Sequence, residues 1–154
     1  MAKAGVVSME EARKLSGLEF MQGIASGKYP IPPIAETMDF RLDEVAHGLA
    51  VFSGEGKFAH YNPLGTVHGG WIATLLDSCM GCCVHTTLKP GQGYTSLEIK
   101  VNFVRPVLET SGRVRAEGRV IHVGRTTATA EGKLIDASGK LLAHGTTTCI
   151  IFSA

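Results

Sequence analysis

The chain of 154 residues predicts a single α+β fold in which one long apolar helix lies across one antiparallel sheet. Three observations carry this. Residues 69–85 read GGWIATLLDSCMGCCVH, a helix-length stretch suited to burial. The half of the chain that follows consists of four extended runs in which apolar and polar residues alternate or β-branched residues dominate. Two shorter strand-like runs, the first of them alternating, flank a turn ahead of the helix. The length suits one domain with a real core, and 44% hydrophobic with 19% charged residues is the composition of a soluble globular chain.

In chain order, Ser8-Met9-Glu10-Glu11 fits the capping box S-x-x-E. Leu15, Leu18, Met21 and Ile24 then follow at helical spacing until Gly27 and Pro30, so one N-terminal helix is expected. Met38, Phe40 and Leu42 alternate with Asp39, Arg41 and Asp43, the period of a strand, and Leu49 to Phe52 returns after a turn at Ala46-His47-Gly48. The central helix runs from near Gly69 to about His85. Beyond it, Leu97, Ile99, Val101 and Phe103 are expected on one face, opposite Glu98, Lys100 and Asn102. Val114, Ala116, Gly118 and Val120 alternate with Arg113, Arg115, Glu117 and Arg119. Thr126 to Ile135 and Leu141 to Phe152 form the last pair, joined by the hairpin loop Asp136-Ala137-Ser138-Gly139. The order is α-β-β-α-β-β-β-β, with residues 1–34 as a helical extension and 35–154 as the main domain.

A net charge of +1 gives no electrostatic reason to expect nucleic acid or an anionic membrane as partner. The N-terminus lacks the apolar stretch of a signal peptide, and no segment has the roughly 18 apolar residues of a membrane span. A cytoplasmic protein with reduced cysteines is expected. Cys79, Cys82 and Cys83 lie close together, but Cys149 stands alone and no second ligand pair completes a zinc site. The cysteines read as core residues, with no metal.

One feature of the central helix resists a packing explanation. Between His68 and His85 the only ionisable group besides thiols is Asp77. A carboxylate in an apolar site is costly unless partnered or used, so Asp77 is a candidate base or nucleophile; an exposed helical position is the bland alternative. The helix begins His68-Gly69-Gly70, and a helix N-terminus has free N–H groups at a positive dipole end. Without Cβ atoms, Gly69 and Gly70 let a substrate carbonyl approach that backbone, though they also permit tight packing against the sheet. His68 could orient the loop, polarise a carbonyl or cap the helix.

The pattern N-P-x-G-x-V-H-G-G at residues 62–70, an acid nine residues after the His, and a strand ending F-V-R-P resemble the PaaI-type acyl-CoA thioesterases, which have the hotdog fold, a sheet wrapped around a central helix. The resemblance covers residues 35–152. It implies hydrolysis of a thioester by Asp77 acting as base or nucleophile, with Asn62 holding the attacking water or the thioester oxygen. It also implies a hydroxyl near the acid, from Thr95 or Ser96, with Ser96 preferred. Coenzyme A enters as part of the substrate, so no separate cofactor is expected. Its phosphates call for cations, and Arg105 and Arg125 are the candidates. Trp71, Met80 and Phe103 are candidates to line an acyl tunnel. A hotdog hydratase or dehydratase and a non-catalytic acyl-CoA-binding protein are the alternative readings.

Helix geometry adds a partner. Gly69 and Asp77 are separated by about 12 Å along one helix axis, while an attacking atom must lie about 3–3.5 Å from the carbonyl it attacks. One helix cannot serve one carbonyl with both groups. An antiparallel helix of a second copy can, so a homodimer with shared active sites is expected, assembled further as a dimer of dimers.

Overall fold

The computed structural model describes residues 3–153. Three short helices, α1 (Met9–Ala12), α2 (Gly17–Ala25) and α3 (Pro33–Thr37), lead into the hairpin β1 (Phe40–Ala46) and β2 (Leu49–Glu55). The long helix α4 (Gly69–His85) follows, then β3 (Gln92–Phe103), β4 (Arg113–Val123), β5 (Thr127–Ile135) and β6 (Leu141–Ser153). The strands form one antiparallel sheet in the order β1-β2-β4-β5-β6-β3. The long helix lies across its inner face, and Trp71, Leu75, Leu76, Met80 and Val84 of α4 are buried there against Ala116, Ala130, Leu134 and Ala143. This is the expected α+β hotdog architecture.

The helix comes close enough to the sheet to exclude side chains. A Cβ placed on Gly118 of β4 would lie 2.2 Å from the Cys79 carbonyl oxygen, so this strand can pass under the helix only as glycine. Gly132 and Gly145, paired with each other on β5 and β6, extend the same glycine track beneath Met80.

The N-terminal segment departs from the single expected helix. Ser8 does cap α1, accepting the Glu11 N–H at 3.2 Å, but that helix lasts four residues. A new helix starts at Gly17 under a complete capping box: Ser16 Oγ accepts the Glu19 N–H at 3.3 Å, and Glu19 accepts the Ser16 N–H at 2.8 Å. Packing pins the break. The Gly17 N–H donates to the Leu88 carbonyl at 3.0 Å, and a Cβ on Gly17 would overlap the His85 carbonyl. The start of α2 is thereby fastened to the end of α4. Helix α3, with Pro33 at its first position, occupies the stretch between the expected helix and the expected strand, to which the sequence reading gave no element. Met38 is its C-cap instead of a strand residue, and its carbonyl accepts the Trp71 indole N–H at 2.8 Å.

The apolar face expected on β3 is covered only in part: Val101 packs against the core, and the rest is open. The pairing with β6 shifts between Ser96 and Glu98, which makes Leu97 a bulge residue, 59% exposed. Ile99 and Phe103 are also exposed, on an edge strand of twelve residues.

At the junction of α2 and α4, the His85 imidazole lies between the rings of Phe20 (5.0 Å) and Tyr94 (5.3 Å). Burial lowers its pKa to about 4. Between that value and about 6.5 the unfolded chain binds a proton that the folded one refuses, so stability rises with pH by up to about 1.4 kcal/mol per unit from this group. His85→Phe keeps the aromatic packing and is expected to flatten the pH dependence of urea unfolding between about pH 4 and 6.5. An unchanged slope would place the titration elsewhere.

Candidate active site

The entry to α4 is held by the backbone. The Val67 N–H donates to the Val107 carbonyl at 2.9 Å, and the His68 N–H to the His60 carbonyl at 2.7 Å. His68 is then the N-cap: its Nδ1 accepts the Gly70 N–H at 2.8 Å. In the neutral ring this leaves the proton on Nε2, which points a donor away from the helix. The Gly70 N–H is therefore engaged in the cap and not free for substrate. Gly70 lacks a side chain for the same reason, since a Cβ there would sit 2.9 Å from Nδ1. The Gly69 N–H, one residue earlier, has no acceptor among the described residues. Of the two glycines, Gly69 carries the available donor.

The position of a Gly69 Cβ would lie 3.1 Å from the ring of Phe103, which is 57% exposed. Beside it opens a cavity of about 380 Å³ lined by Asn62, Thr66, Ile72, Phe103 and Arg105. The Asn62 amide is largely spent on its own loop. Its Oδ1 accepts the N–H groups of Leu64 (2.8 Å) and Thr66 (3.3 Å), and its Nδ2 donates to Thr66 Oγ1 at 2.8 Å. One amide hydrogen is left for a substrate or water. Asn62 thus shapes the loop before α4.

Asp77 is half-buried in the middle of α4, and no ion pair holds it among the described residues. Its Oδ1 accepts a hydrogen bond from Ser96 Oγ at 3.1 Å. Thr95, next along β3, is exposed. The period of two assigns the hydroxyl beside the acid to Ser96, ahead of the bulge at Leu97. Tyr94, two residues earlier on the same face, is a neighbour the sequence reading passed over. Its hydroxyl lies over Gly81, 3.1 Å from where a Cβ would be, and burial pushes its pKa well above the usual range. The period-two relation to Ser96 was the signal that could have found it.

The two arginines lie apart. Arg105 Nη1 donates to the Leu141 carbonyl at 2.6 Å, at the Gly69 end of the sheet. Arg125 is exposed in the β4–β5 turn. Phe103 pairs with Ala143, whereas Thr127 pairs with Ile150. Seven residues along β6 amount to about 24 Å, so one chain does not close both arginines on one phosphate group. Trp71 and Met80, two of the three candidates for an acyl tunnel, are buried in the core under the sheet, and Phe103 stands at the mouth of the Gly69 cavity.

The cysteines are thiols held by burial. It raises Cys79 and Cys149 and pushes Cys82 and Cys83 up to about 12, which removes the thiolate that metal binding or nucleophilic attack needs. No cluster of three or more metal-ligating side chains occurs among the described residues.

Known proteins share this framework. The family model described as the thioesterase superfamily matches residues 64–143. The 1,4-dihydroxy-2-naphthoyl-CoA hydrolase of Listeria monocytogenes is 28% identical over 109 residues, 71% of this chain and 87% of that one. The acyl-coenzyme A thioesterase 13 of Mus musculus is 31% identical over 87 residues, 56% of this chain and 61% of that one. Among solved structures, a phenylacetic acid degradation-related protein from Ralstonia eutropha matches with a TM-score of 0.77 at 28% identity, covering 85% of this chain and 98% of that one. A mutant of the phenylacetic acid degradation protein PaaI from Thermus thermophilus matches with a TM-score of 0.70 at 30% identity, covering 77% and 97%. A family match over a little more than half of the chain, joined to relatives that share the helix-and-sheet frame, makes this protein a member of the thioesterase superfamily, a PaaI-type hotdog thioester hydrolase.

Proposed function

We propose that the protein hydrolyses acyl-CoA thioesters to a carboxylic acid and free coenzyme A, with Asp77 as the reacting carboxylate. The observation that supports this is a half-buried acid hydrogen-bonded to Ser96, on a helix whose first N–H is that of Gly69, with neither a counter-cation for the acid nor an acceptor for that N–H among the described residues. Names of relatives support the coenzyme A half: one is a naphthoyl-CoA hydrolase, another an acyl-coenzyme A thioesterase.

In the general-base route, Asp77 takes a proton from water as the water oxygen attacks the thioester carbon. In the nucleophilic route, the carboxylate attacks and water later hydrolyses the mixed anhydride. In both, the carbonyl oxygen gains negative charge, which the Gly69 N–H and the positive end of α4 stabilise. The C–S bond then breaks, and the coenzyme A thiolate takes up a proton.

Because α4 runs unbroken from Gly69 to His85, the acid and the donor of one chain stay about 12 Å apart along the axis. Two copies related by a two-fold axis resolve this, each supplying Asp77 to the other's Gly69. The uncovered edge strand β3, with Leu97, Ile99 and Phe103 exposed, is the surface suited to that pairing. The same symmetry gives the separated arginines a use. Arg125 lies at the Ser96 end of the sheet and Arg105 at the Gly69 end, so Arg125 of one subunit and Arg105 of the other flank one shared site. A pairing of such dimers completes the proposed assembly.

The test is a panel of CoA thioesters followed with a thiol-reactive dye. Free thiol is expected from at least one, with saturation kinetics. Folded protein that releases thiol from none, or that consumes an enoyl thioester without thiol release, would overturn the proposal.

A further inference from the structure

A second cavity, of about 790 Å³, lies between the N-terminal helices, the β1–β2 hairpin and the C-terminal half of α4. Helix α2 contributes Phe20, Met21 and Ile24 to its wall, and the hairpin contributes Phe40, Leu42 and Phe52. Cys82 and His85 of α4 close its inner end. Protein interiors carry few voids larger than a water molecule, whereas ligand pockets run to about 300–1,000 Å³ with mostly apolar walls. This volume is of the second kind.

Charge is confined to the exposed mouth. There Lys57 pairs with Asp39, and Arg113 pairs with Glu55 at 3.1 Å. The inner end offers an un-ionised thiol and an un-ionised imidazole, so it suits an uncharged, apolar guest. It also adjoins the reacting acid. Cys82 follows Asp77 by five residues, about 7.5 Å along the axis, and its thiol feels the charge of Asp77. Tyr94 neighbours both: its ring packs on His85 with its hydroxyl over Gly81, and it too feels the charge of Asp77.

We infer that this cavity is the acyl compartment, that helix α2 of the N-terminal extension is its outer wall, and that the substrate is a thioester of a bulky apolar acyl group of medium chain length. The inference rests on the proposed hydrolysis of acyl-CoA at Asp77. An acyl group whose carbonyl carbon is at the acid passes beside Tyr94 and ends among Phe20, Ile24 and Phe52, out of water. The extension thus acts in substrate selection.

The test compares decanoyl-CoA with acetyl-CoA in the full chain. The parent is expected to favour decanoyl-CoA by at least tenfold in kcat/KM, since each buried methylene contributes roughly tenfold or more to such discrimination. Ala25→Trp puts a large ring on an exposed position of α2 that borders the cavity. It is expected to lower the decanoyl-to-acetyl ratio of kcat/KM by about tenfold or more. Ile24→Ala, which enlarges the cavity, is expected to move the preferred length toward dodecanoyl-CoA, and it decides the matter should the tryptophan variant fail to fold by circular dichroism. A parent that favours acetyl-CoA, or a folded variant with an unchanged chain-length profile, would overturn the acyl compartment while leaving hydrolysis at Asp77 standing. Absence of thiol release from every thioester would instead overturn the reaction itself.

Discussion

Asp77→Asn lowers turnover by about 10²–10⁴-fold, the loss expected when a positioned acid–base group is removed. The substitution preserves shape, and the amide oxygen can still accept the hydrogen bond from Ser96 Oγ, 3.1 Å away in the parent. What it removes is basicity and nucleophilicity. KM is expected to change far less than kcat, because the acid acts on the reacting centre and not on the bulk of the substrate. The measurement is steady-state thiol release with the best CoA thioester. Turnover within about threefold of the parent would return Asp77 to a structural role.

Gly118→Val is expected to act through the fold. Any Cβ at this position meets the Cys79 carbonyl oxygen at 2.2 Å and the Met80 nitrogen at 2.8 Å, both backbone atoms of α4. Relief requires the whole helix to lift from β4, which opens the core around Leu76, Met80 and Leu134. Overpacking of this kind costs about 3 kcal/mol or more, which lowers Tm by roughly 6–12 °C in a chain of this size. Thermal unfolding followed by circular dichroism checks it. A Tm within about 2 °C of the parent would mean that the helix does not ride on the glycine track as described. The effect on α4 also reaches chemistry, because Gly69 and Asp77 are carried on the same rigid element.

Elements with a strong local signal are legible in the sequence. The central helix runs from Gly69 to His85 as read, because the His68-Gly69-Gly70 cap and the apolar run leave little choice. Strands β4 to β6 follow their alternation closely, and their glycines occupy inward positions that alternation marks without explaining. The break between α1 and α2 obeyed a rule already applied at Ser8–Glu11, since Ser16–Glu19 satisfies the same pattern, but a continuous helical spacing concealed it. Tertiary contact decided the outcome there, through Gly17 against His85.

Around the candidate site, residue types were legible and hydrogen-bond assignments were not. Nothing in H-G-G says that the imidazole takes the Gly70 N–H and leaves that of Gly69 free. That division depends on a side-chain torsion. Nor does N-P-L-G-T reveal that Asn62 spends most of its amide on Leu64 and Thr66. The distance between Arg105 and Arg125 depends on strand register, and the bulge at Leu97 makes register on β3 unreadable from alternation alone. The cavity beside α2 gathers residues from the N-terminal helices, the β1–β2 hairpin, α4 and β4, a kind of feature that periodicity cannot express.

In the proposed dimer each active site joins the Asp77 of one subunit to the Gly69 of another. Two variants, Asp77→Asn and Gly69→Val, test it by complementation. In the second, Phe103 is exposed and its ring can give way, so the valine blocks the approach of the carbonyl without a large packing cost. Each variant alone is expected to be nearly inactive, and each is expected to retain the parent's circular dichroism spectrum. Unfolding the two together in equal amounts and refolding them makes about half of the dimers mixed, and each mixed dimer has one intact site of its two. Recovery of about a quarter of parental activity is expected from shared sites. A refolded mixture that stays as inactive as its components would show that Asp77 works with the Gly69 of its own chain, and would overturn the shared site.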